Sequence, residues 1–407
     1  MIKILHLADL HIGVENYGRI EPTTGLHSRL IDYLERLDEA ISLGLAHAVD
    51  LVLIAGDIYK SRNPNPTHQR EFAQRMKQLR DAGVPVFMIT GNHDIAPTFG
   101  RAHSIEIFGA LQVAGITIAD RPRMHQLETR AGPLQIIAVP WVTRNHLLTH
   151  EDMAKASFGE IDTLLRQRID AFIDQEVAGL SSTIPTVLAM HATIDGAQLG
   201  AERSITLGQD LVFSRGSVAC AGIDYVALGH IHRHQSLGEH PPIVYPGSIE
   251  RIDFGEEHED KGCVLVELER GNTRWTFHRL NARPMVSINV DVRQSGDPAA
   301  RVAQAIVRQQ LQQAIVRVDI HALEVQKLHL SVATIRAQLE QAGAFCIAAI
   351  AINVERDSRN RFPGIEPERI RGMTMTDALE LYLQQKHVDP ERRAALLARA
   401  TRLLEER

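Results

Sequence analysis

Short polar side chains that can bind a metal ion recur in this sequence wherever an apolar segment ends. In chain order, the predicted ligands are Asp9, His11, Asp57, Asn92, His191, His230 and His232. Each follows a run of apolar residues that predicts a buried β-strand. Open α/β sheets form their sites at the carboxyl ends of strands, so we expect these side chains to converge. The alternation of an extended chain would place Asp9 and His11 on the same side.

The types of these side chains indicate the chemistry. Nitrogen and oxygen ligands without a thiolate suit Mn, Fe or Zn better than a structural zinc site. Seven ligands suit two ions, and Asp57 is the expected bridge because a carboxylate has two oxygens. Two ions about 3.5–4 Å apart can hold both oxygens of an in-line phosphoryl displacement. His93 could stabilise developing charge or protonate the leaving oxygen. Asp94 either orients His93 or holds a turn.

The elements that must position these residues form a strand–helix repeat. The first three strands are separated by two amphipathic helices, predicted at residues 26–48 and 67–82. Nearly continuous apolar strands are typical of a parallel sheet that is covered on both faces. Residues 113–119 and 134–141 are predicted to be strands of a second sheet.

The pattern changes near residue 283, where a β-α-β-α-β unit without ligand candidates predicts a small second domain. The predicted segments are 1–282 for the site-bearing domain, 283–356 for the small domain, 357–371 for a linker and 372–407 for C-terminal helices. The arginines in and beside the linker are Arg356, Arg359, Arg361, Arg369 and Arg371. They could contact phosphate or an acidic partner, or they are simply solvated.

The composition narrows the class of protein. A hydrophobic content of 44% and a charged content of 23% are those of a globular protein. Without an apolar run of about 20 residues or a signal segment, we expect a cytoplasmic protein that does not contact a membrane. Cys220, Cys263 and Cys346 are too scattered for a disulfide framework. A net charge of −6 counts against an autonomous DNA binder, but not against a nuclease whose metal ions or partner supply positive charge.

In order and form, these motifs resemble the calcineurin-like metallophosphoesterases. The segments that carry the resemblance are Asp9-Leu10-His11, Gly56-Asp57, Gly91-Asn92-His93-Asp94, His191 and Gly229-His230-Ile231-His232. More narrowly, the segments 5–11, 245–251, Phe254-Gly255-Glu256 and Lys261-Gly262 are similar to the DNA double-strand-break repair nucleases of that superfamily. The likeness runs from residue 1 through the small domain and is weakest after about Arg356.

The resemblance implies an α/β fold of four layers, α-β-β-α, in which two mixed sheets pack face to face. A small β-α-β-α-β capping domain and C-terminal helices complete it. It implies two divalent metal ions held by the predicted ligands, with Mn expected and Mg, Fe or Zn as alternatives, and His93 as the catalytic residue. The implied activity is exonuclease cleavage of double-stranded DNA ends and endonuclease cleavage of single strands or hairpins. The implied partners are a coiled-coil ATPase, on which the final helices dock, and a second copy in a homodimer within a heterotetramer.

Several points stay open. Some relatives carry a His shortly after the Asp57 motif, whereas this chain has Lys60, which is a poor general acid at neutral pH. Lys60 either contacts phosphate or is solvated, and Arg251 is a candidate DNA contact. Two other functions compete with the nuclease: a stand-alone phosphoesterase, which would need neither the small domain nor the helical tail, and a DNA-end tether with structural metals, which would not need His93.

Overall fold

The computed structural model describes residues 1–95, 101–143, 158–200, 210–355 and 373–405. The chain divides into two compact units. The first comprises residues 1–287, 310–317 and 339–348, and the second comprises 288–309, 318–338 and 349–407. The predicted linker, together with the five arginines in and beside it (Arg356, Arg359, Arg361, Arg369 and Arg371), lies outside the described residues.

The first unit contains two six-stranded mixed sheets. The first sheet has the spatial order β14 (Arg274–Arg279), β13 (Gly262–Leu268), β1 (Ile2–Leu7), β2 (Leu51–Ile54), β3 (Val86–Ile89) and β4 (Ile116–Ala119). Strands β1 to β4 run parallel, whereas β13 pairs antiparallel with both β1 and β14. The prediction that residues 113–119 belong to the second sheet is therefore wrong, because β4 extends the first sheet by pairing with β3.

The second sheet has the order β11 (Gln235–Glu239), β12 (Pro242–Tyr245), β10 (Tyr225–Gly229), β7 (Thr186–His191), β6 (Gly132–Val139) and β5 (Arg123–Thr129). The four central strands are parallel and the two edge strands are antiparallel. A separate two-stranded ladder joins β8 (Thr193–Ile194) to β9 (Val212–Phe213).

Helices cover both outer faces of this pair of sheets. The helices of the first unit are α1 (Ser28–Ala46), α2 (Pro66–Asp81), α3 (Glu106–Ala110), α4 (Phe158–Ala178), α5 (Arg215–Val218) and a 3-10 turn at Phe254–Glu256. Alternate residues of each buried strand face different layers: Leu53 of β2 lies in the core between the sheets, and Val52 packs with α1 and α2. On the far side, α4 packs against β6, β7 and β10. The four-layer α-β-β-α sandwich is confirmed.

The second unit is built around a three-stranded sheet in the order β15 (Met285–Asp291), β16 (Ile315–Ala322) and β17 (Cys346–Val354). The first three residues of each strand group with the first unit. Its helices are α6 (Pro298–Val307), α7 (Glu324–Lys327), α8 (Val332–Gln341), α9 (Met375–Gln385) and α10 (Pro390–Glu405). Among the described residues, no helix is both long and apolar enough to cross a membrane.

Candidate metal centre

The predicted site residues lie at the carboxyl ends of strands from both sheets. Asp9 and His11 follow β1, Asp57 follows β2, and Asn92 and His93 follow β3. The second sheet contributes His191 at the end of β7, and His230 and His232 after β10. Because these strand ends meet at one edge of the sandwich, all eight residues come together.

The backbone that carries the predicted ligands Asp9, His11 and Asp57 is not extended. Asp9, His11 and Asp57 have φ angles of 52°, 44° and 53°, in the left-handed region. The prediction that alternation of an extended segment positions Asp9 and His11 is therefore wrong, since β1 ends at Leu7. Left-handed backbone costs roughly 1–2 kcal/mol per residue. It is held here by paired turns: the Asp9 amide donates to the Gly56 carbonyl and the His11 amide donates to the Asp57 carbonyl, both at 3.1 Å.

Close approach of neighbouring atoms requires glycine at several positions beside the cluster, among them Gly56 and Gly91. Gly56 has a φ of 93°, and a Cβ at this position would overlap the ring of His191. A Cβ on Gly91 would overlap the carboxylate and the amide nitrogen of Asp57. Gly56 thus lets β2 of the first sheet approach His191 of the second, and Gly91 lets the ends of the neighbouring strands β2 and β3 approach each other.

The atoms that could bind a metal ion form three overlapping groups. Within each group they lie within 4.8 Å of one another, and the groups are Asp9–His11–His232, His11–Asp57–His93 and Asp9–Asp57–His191. The Nε2 atoms of His11 and His232 face each other at 2.9 Å. Asn92 Oδ1 lies 3.1 Å from both His191 Nε2 and His230 Nδ1, which attaches His230 to the cluster.

Asp57 belongs to two of these groups. Its Oδ1 accepts a hydrogen bond from the His93 amide at 2.8 Å. Its Oδ2 lies 3.8 Å from His11 Nε2 and 3.5 Å from His191 Nε2. One carboxylate oxygen is thus within reach of imidazoles from both sheets, which is the position that a bridging ligand requires. Asp9 also belongs to two groups.

Burial and mutual charge determine the protonation of the cluster. Burial would raise the pKa of Asp57, but His191 and His11 beside it lower that pKa well below its ordinary value. Burial would lower the pKa of His191, but Asp57 raises it to about 9. Burial, reinforced by His232, lowers the pKa of His11, so this ring is neutral and has a nitrogen lone pair to offer. Burial raises the pKa of Asp9. The charged Asp57 attracts a proton to His191, and the same charge would attract a metal cation.

In three of the imidazoles, those of His191, His230 and His232, the nitrogen that faces away from the cluster contacts an acceptor. His191 Nδ1 donates to the Ala55 carbonyl at 2.7 Å. His230 Nε2 lies 2.8 Å from Asp210, and His232 Nδ1 lies 2.8 Å from Glu256. Such partners set the tautomer and the orientation of metal-binding histidines.

Sequence reasoning missed these supporting residues. Asp210 lies just before β9 and carries no motif that would have identified it. Glu256 belongs to the segment Phe254-Gly255-Glu256 that resembled the repair nucleases, but no role followed from that resemblance. Trp141 was also missed, and its ring lies with its centroid 4.9 Å from that of His230.

His93 lies beside the cluster, and one of its two ring nitrogens is hydrogen-bonded. Its Nδ1 lies 2.8 Å from the Lys60 carbonyl, and its ring meets His11 edge-on with centroids 5.0 Å apart. A carbonyl can only accept, so Nδ1 carries a hydrogen and Nε2 is left for proton transfer. Lys60 thus contacts His93 through its backbone.

The structure answers two points that the sequence left open. Asp94 is buried, and its carboxylate accepts hydrogen bonds from the amides of Ile58, Tyr59 and Gly91. It therefore holds the turns after β2 and β3 together, as the structural alternative predicted. Burial and the neighbouring Asp57 raise the pKa of Asp94 to about 7.

Arg251, the candidate DNA contact, is 6% exposed. Its guanidinium donates to four backbone carbonyls, those of Glu256, Glu259, Ala282 and Arg283. That interpretation of Arg251 is therefore wrong, because its donors are used inside the protein.

The donor set fits divalent metal ions. Imidazole nitrogens, carboxylates and an amide oxygen are the ligands of Mn, Fe and Zn in catalytic sites. Their convergence within 4.8 Å, with two carboxylates shared between groups, gives a plausible metal-binding cluster. Next to it, His93 can hold a proton at Nε2. This combination is suited to hydrolysis of a phosphate ester.

Comparison with known proteins points to the same chemistry. The family model for calcineurin-like phosphoesterases matches residues 2–234. The SbcD component of nuclease SbcCD from Bacillus subtilis is 27% identical over 277 residues, which cover 66% of this chain and 67% of the relative. The Escherichia coli K12 protein of the same name is 25% identical over 301 residues, 72% of each chain. DNA double-strand break repair protein Mre11 of Archaeoglobus fulgidus is 23% identical over 306 residues, 71% of this chain and 62% of the relative.

Proposed function

The chain belongs to the calcineurin-like phosphoesterase family, and from this premise we propose that it is a metal-dependent DNA nuclease of double-strand-break repair, acting in the cytoplasm. The observation that carries the proposal is the cluster of predicted ligands with His93 beside it. The names of the relatives support DNA as the substrate. The proposed activities are exonuclease cleavage of double-stranded ends and endonuclease cleavage of single strands and hairpins.

Two divalent ions, with Mn expected, are proposed to be held by Asp9, His11, Asp57, Asn92, His191, His230 and His232. When bound, such ions polarise phosphate oxygens and supply a nucleophile at neutral pH. The role of the protein is to orient the imidazoles towards the cluster. His191, His230 and His232 are held in this way by Ala55, Asp210 and Glu256.

His93 is the proposed catalytic residue. As water adds to phosphorus, the bond from phosphorus to the leaving sugar oxygen breaks, and this oxygen needs a proton. His93 Nε2 can donate it, while Nδ1 remains bonded to the Lys60 carbonyl throughout. The proton released by the attacking water restores the imidazolium. General acid catalysis of this kind contributes about 10²–10⁴-fold to a rate.

The test uses the full chain with Mn²⁺ and linear duplex DNA. We expect cleavage by the wild type and a loss of at least about 100-fold in His93→Gln, with Mn²⁺ affinity retained. His68→Gln is a matched control, since His68 is bonded to Glu15 and Asn65. Rapid hydrolysis of small phosphodiesters without DNA cleavage would indicate a stand-alone phosphoesterase instead. Full activity in His93→Gln would contradict the proposed role of this residue.

We also propose an SbcC-type coiled-coil ATPase as a partner, with a homodimer of this chain inside a heterotetramer. In this proposal, residues 283–356 form the capping domain, 357–371 a linker and 372–407 the partner-binding segment. Support comes from the relatives named as components of SbcCD and from the exposed apolar side chains Met375, Tyr382 and Leu403 on α9 and α10. Truncation after Arg371 should abolish co-purification with the ATPase but preserve Mn²⁺-dependent cleavage. Retained co-purification would contradict this assignment.

A further inference from the structure

A buried pair of opposite charges lies directly behind the predicted ligand His232. Glu256 is 1% exposed and Lys261 is 0% exposed. Lys261 Nζ lies 2.9 Å from Glu256 Oε2, and it also donates to the His232 carbonyl at 3.1 Å and to Glu259 at 2.9 Å. All three hydrogens of the ammonium group therefore have an acceptor.

Both oxygens of Glu256 are likewise in use. Oε1 faces His232 Nδ1 at 2.8 Å, and Oε2 accepts from the Ile252 amide at 2.9 Å as well as from Lys261. His232 is thus held at its side chain by Glu256 and at its backbone by Lys261. Its Nε2 is left facing His11 in the cluster.

Stability alone does not account for this arrangement. Taking two charges out of water carries a desolvation penalty, and apolar residues of similar volume are often as stabilising as a buried ion pair. What a buried carboxylate supplies and an apolar group does not is a fixed acceptor for the imidazole. A carboxylate behind a metal-bound histidine fixes the tautomer and increases the basicity of the metal-binding nitrogen.

We propose that Glu256, held by Lys261, is a positioning residue that keeps the hydrogen of His232 on Nδ1 and presents Nε2 to a metal ion. The affected ion is the one that Asp9, His11 and His232 would hold. The inference rests on the proposed metal-dependent function, but it concerns residues outside the predicted ligand set.

The substitution Glu256→Gln tests the proposal with little change of shape. The Ile252 amide and Lys261 both donate to one side of residue 256, so the amide oxygen of Gln must face them. Its NH₂ group must then face His232 Nδ1 and donate to it. The ring can accept only with the hydrogen moved to Nε2, which blocks the metal-binding lone pair.

Two readouts are made on the full chain. Nitrogen-15 spectra of the histidine-labelled, metal-free protein give the tautomer of His232, which is assigned by comparison with His232→Gln. Titration with Mn²⁺ alone gives the affinity. We expect the Nδ1–H tautomer in the wild type, the Nε2–H tautomer in Glu256→Gln, and a 10–100-fold loss of Mn²⁺ affinity in that variant.

Two further variants separate positioning from folding. Glu259→Gln removes a carboxylate that contacts the same lysine but not His232, and should leave both readouts unchanged. Glu256→Gln/Lys261→Met removes the buried ammonium that has lost Glu256 and leaves only the less buried Glu259 charged, so most of the lost thermal stability should return while Mn²⁺ affinity stays low.

Recovery of affinity together with stability in the double variant would overturn the proposal, as would an unchanged tautomer in Glu256→Gln. If the wild type binds no Mn²⁺, the proposed function fails. In that case the tautomer of the metal-free protein still decides whether Glu256 orients His232.

Discussion

Removing the negative charge of Asp57 should weaken metal binding with little change to the fold. In Asp57→Asn, the amide oxygen can still accept from the His93 amide, as Oδ1 now does at 2.8 Å. Asparagine also tolerates the left-handed backbone found at this position. The negative charge that lies between His11 and His191 is lost.

The size of the expected change in Tm follows from the linkage between metal binding and folding. An ion present at 100 times its Kd stabilises the folded state by about 2.7 kcal/mol. For a domain of this size that corresponds to a rise in Tm of about 5 °C. If the substitution weakens binding about 100-fold, the same concentration equals the new Kd, and the stabilisation falls to about 0.4 kcal/mol. The rise in Tm should then be about 1 °C.

The assay is thermal unfolding of chelator-treated protein with and without Mn²⁺. Asp50→Asn is a matched control, because Asp50 lies at the opposite end of β2 and accepts from the Lys3 amide at 2.9 Å. It should show the full metal-dependent rise even if its starting Tm is lower. If Mn²⁺ raises the Tm of Asp57→Asn as much as it raises that of the wild type, the reasoning that this carboxylate is shared between the groups is refuted.

Three more predictions concern residues around the site and the core. Gly91→Ala should lower DNA cleavage about 100-fold by displacing Asp57, whereas Gly109→Ala, with open space around it, should not. Arg251→Ala should lower the free energy of unfolding by about 3 kcal/mol or more, measured with denaturant, because buried carbonyls lose their donor; a loss confined to DNA affinity would contradict this. Burial lowers the pKa of His6 to about 3, below the value of 6.5 in the unfolded chain, so the unfolded state takes up the proton first. Stability should therefore fall as pH drops from 6.5 towards 3, and in His6→Phe its slope should be smaller by about 1.4 kcal/mol per pH unit; an unchanged slope would contradict the assignment.

The predicted ligands could be chosen from the sequence because the residues at strand ends follow a recognisable apolar pattern. Apolar runs such as 51–54 and 86–89 predict buried parallel strands, and the polar residue that follows such a run must lie at the edge of the sheet. The repetition of this pattern predicted the convergence of side chains that are up to 223 positions apart, from Asp9 to His232.

Sheet membership was harder to predict. The strand Arg123–Thr129 has the polar sequence RMHQLET and lies at a sheet edge with its side chains partly exposed, so it lacks the apolar signature. The apolar pattern of β4 predicts a strand but does not specify which sheet it joins. Pairing depends on the path of the whole chain, which local periodicity does not specify.

By itself, the sequence determined which residue types stand at the strand ends, and from these types it predicted metal chemistry, because both depend on local pattern. Tertiary structure alone decided what surrounds them. Asp210, just before β9, and Glu256, in the 3-10 turn, contact His230 and His232 only because separate segments of the chain pack together. The left-handed turns at Asp9 and Asp57 persist because backbone hydrogen bonds join one turn to the other. Hydrogen-bond partners distant along the chain and strained backbone are properties of the packed molecule, and no local pattern encodes them.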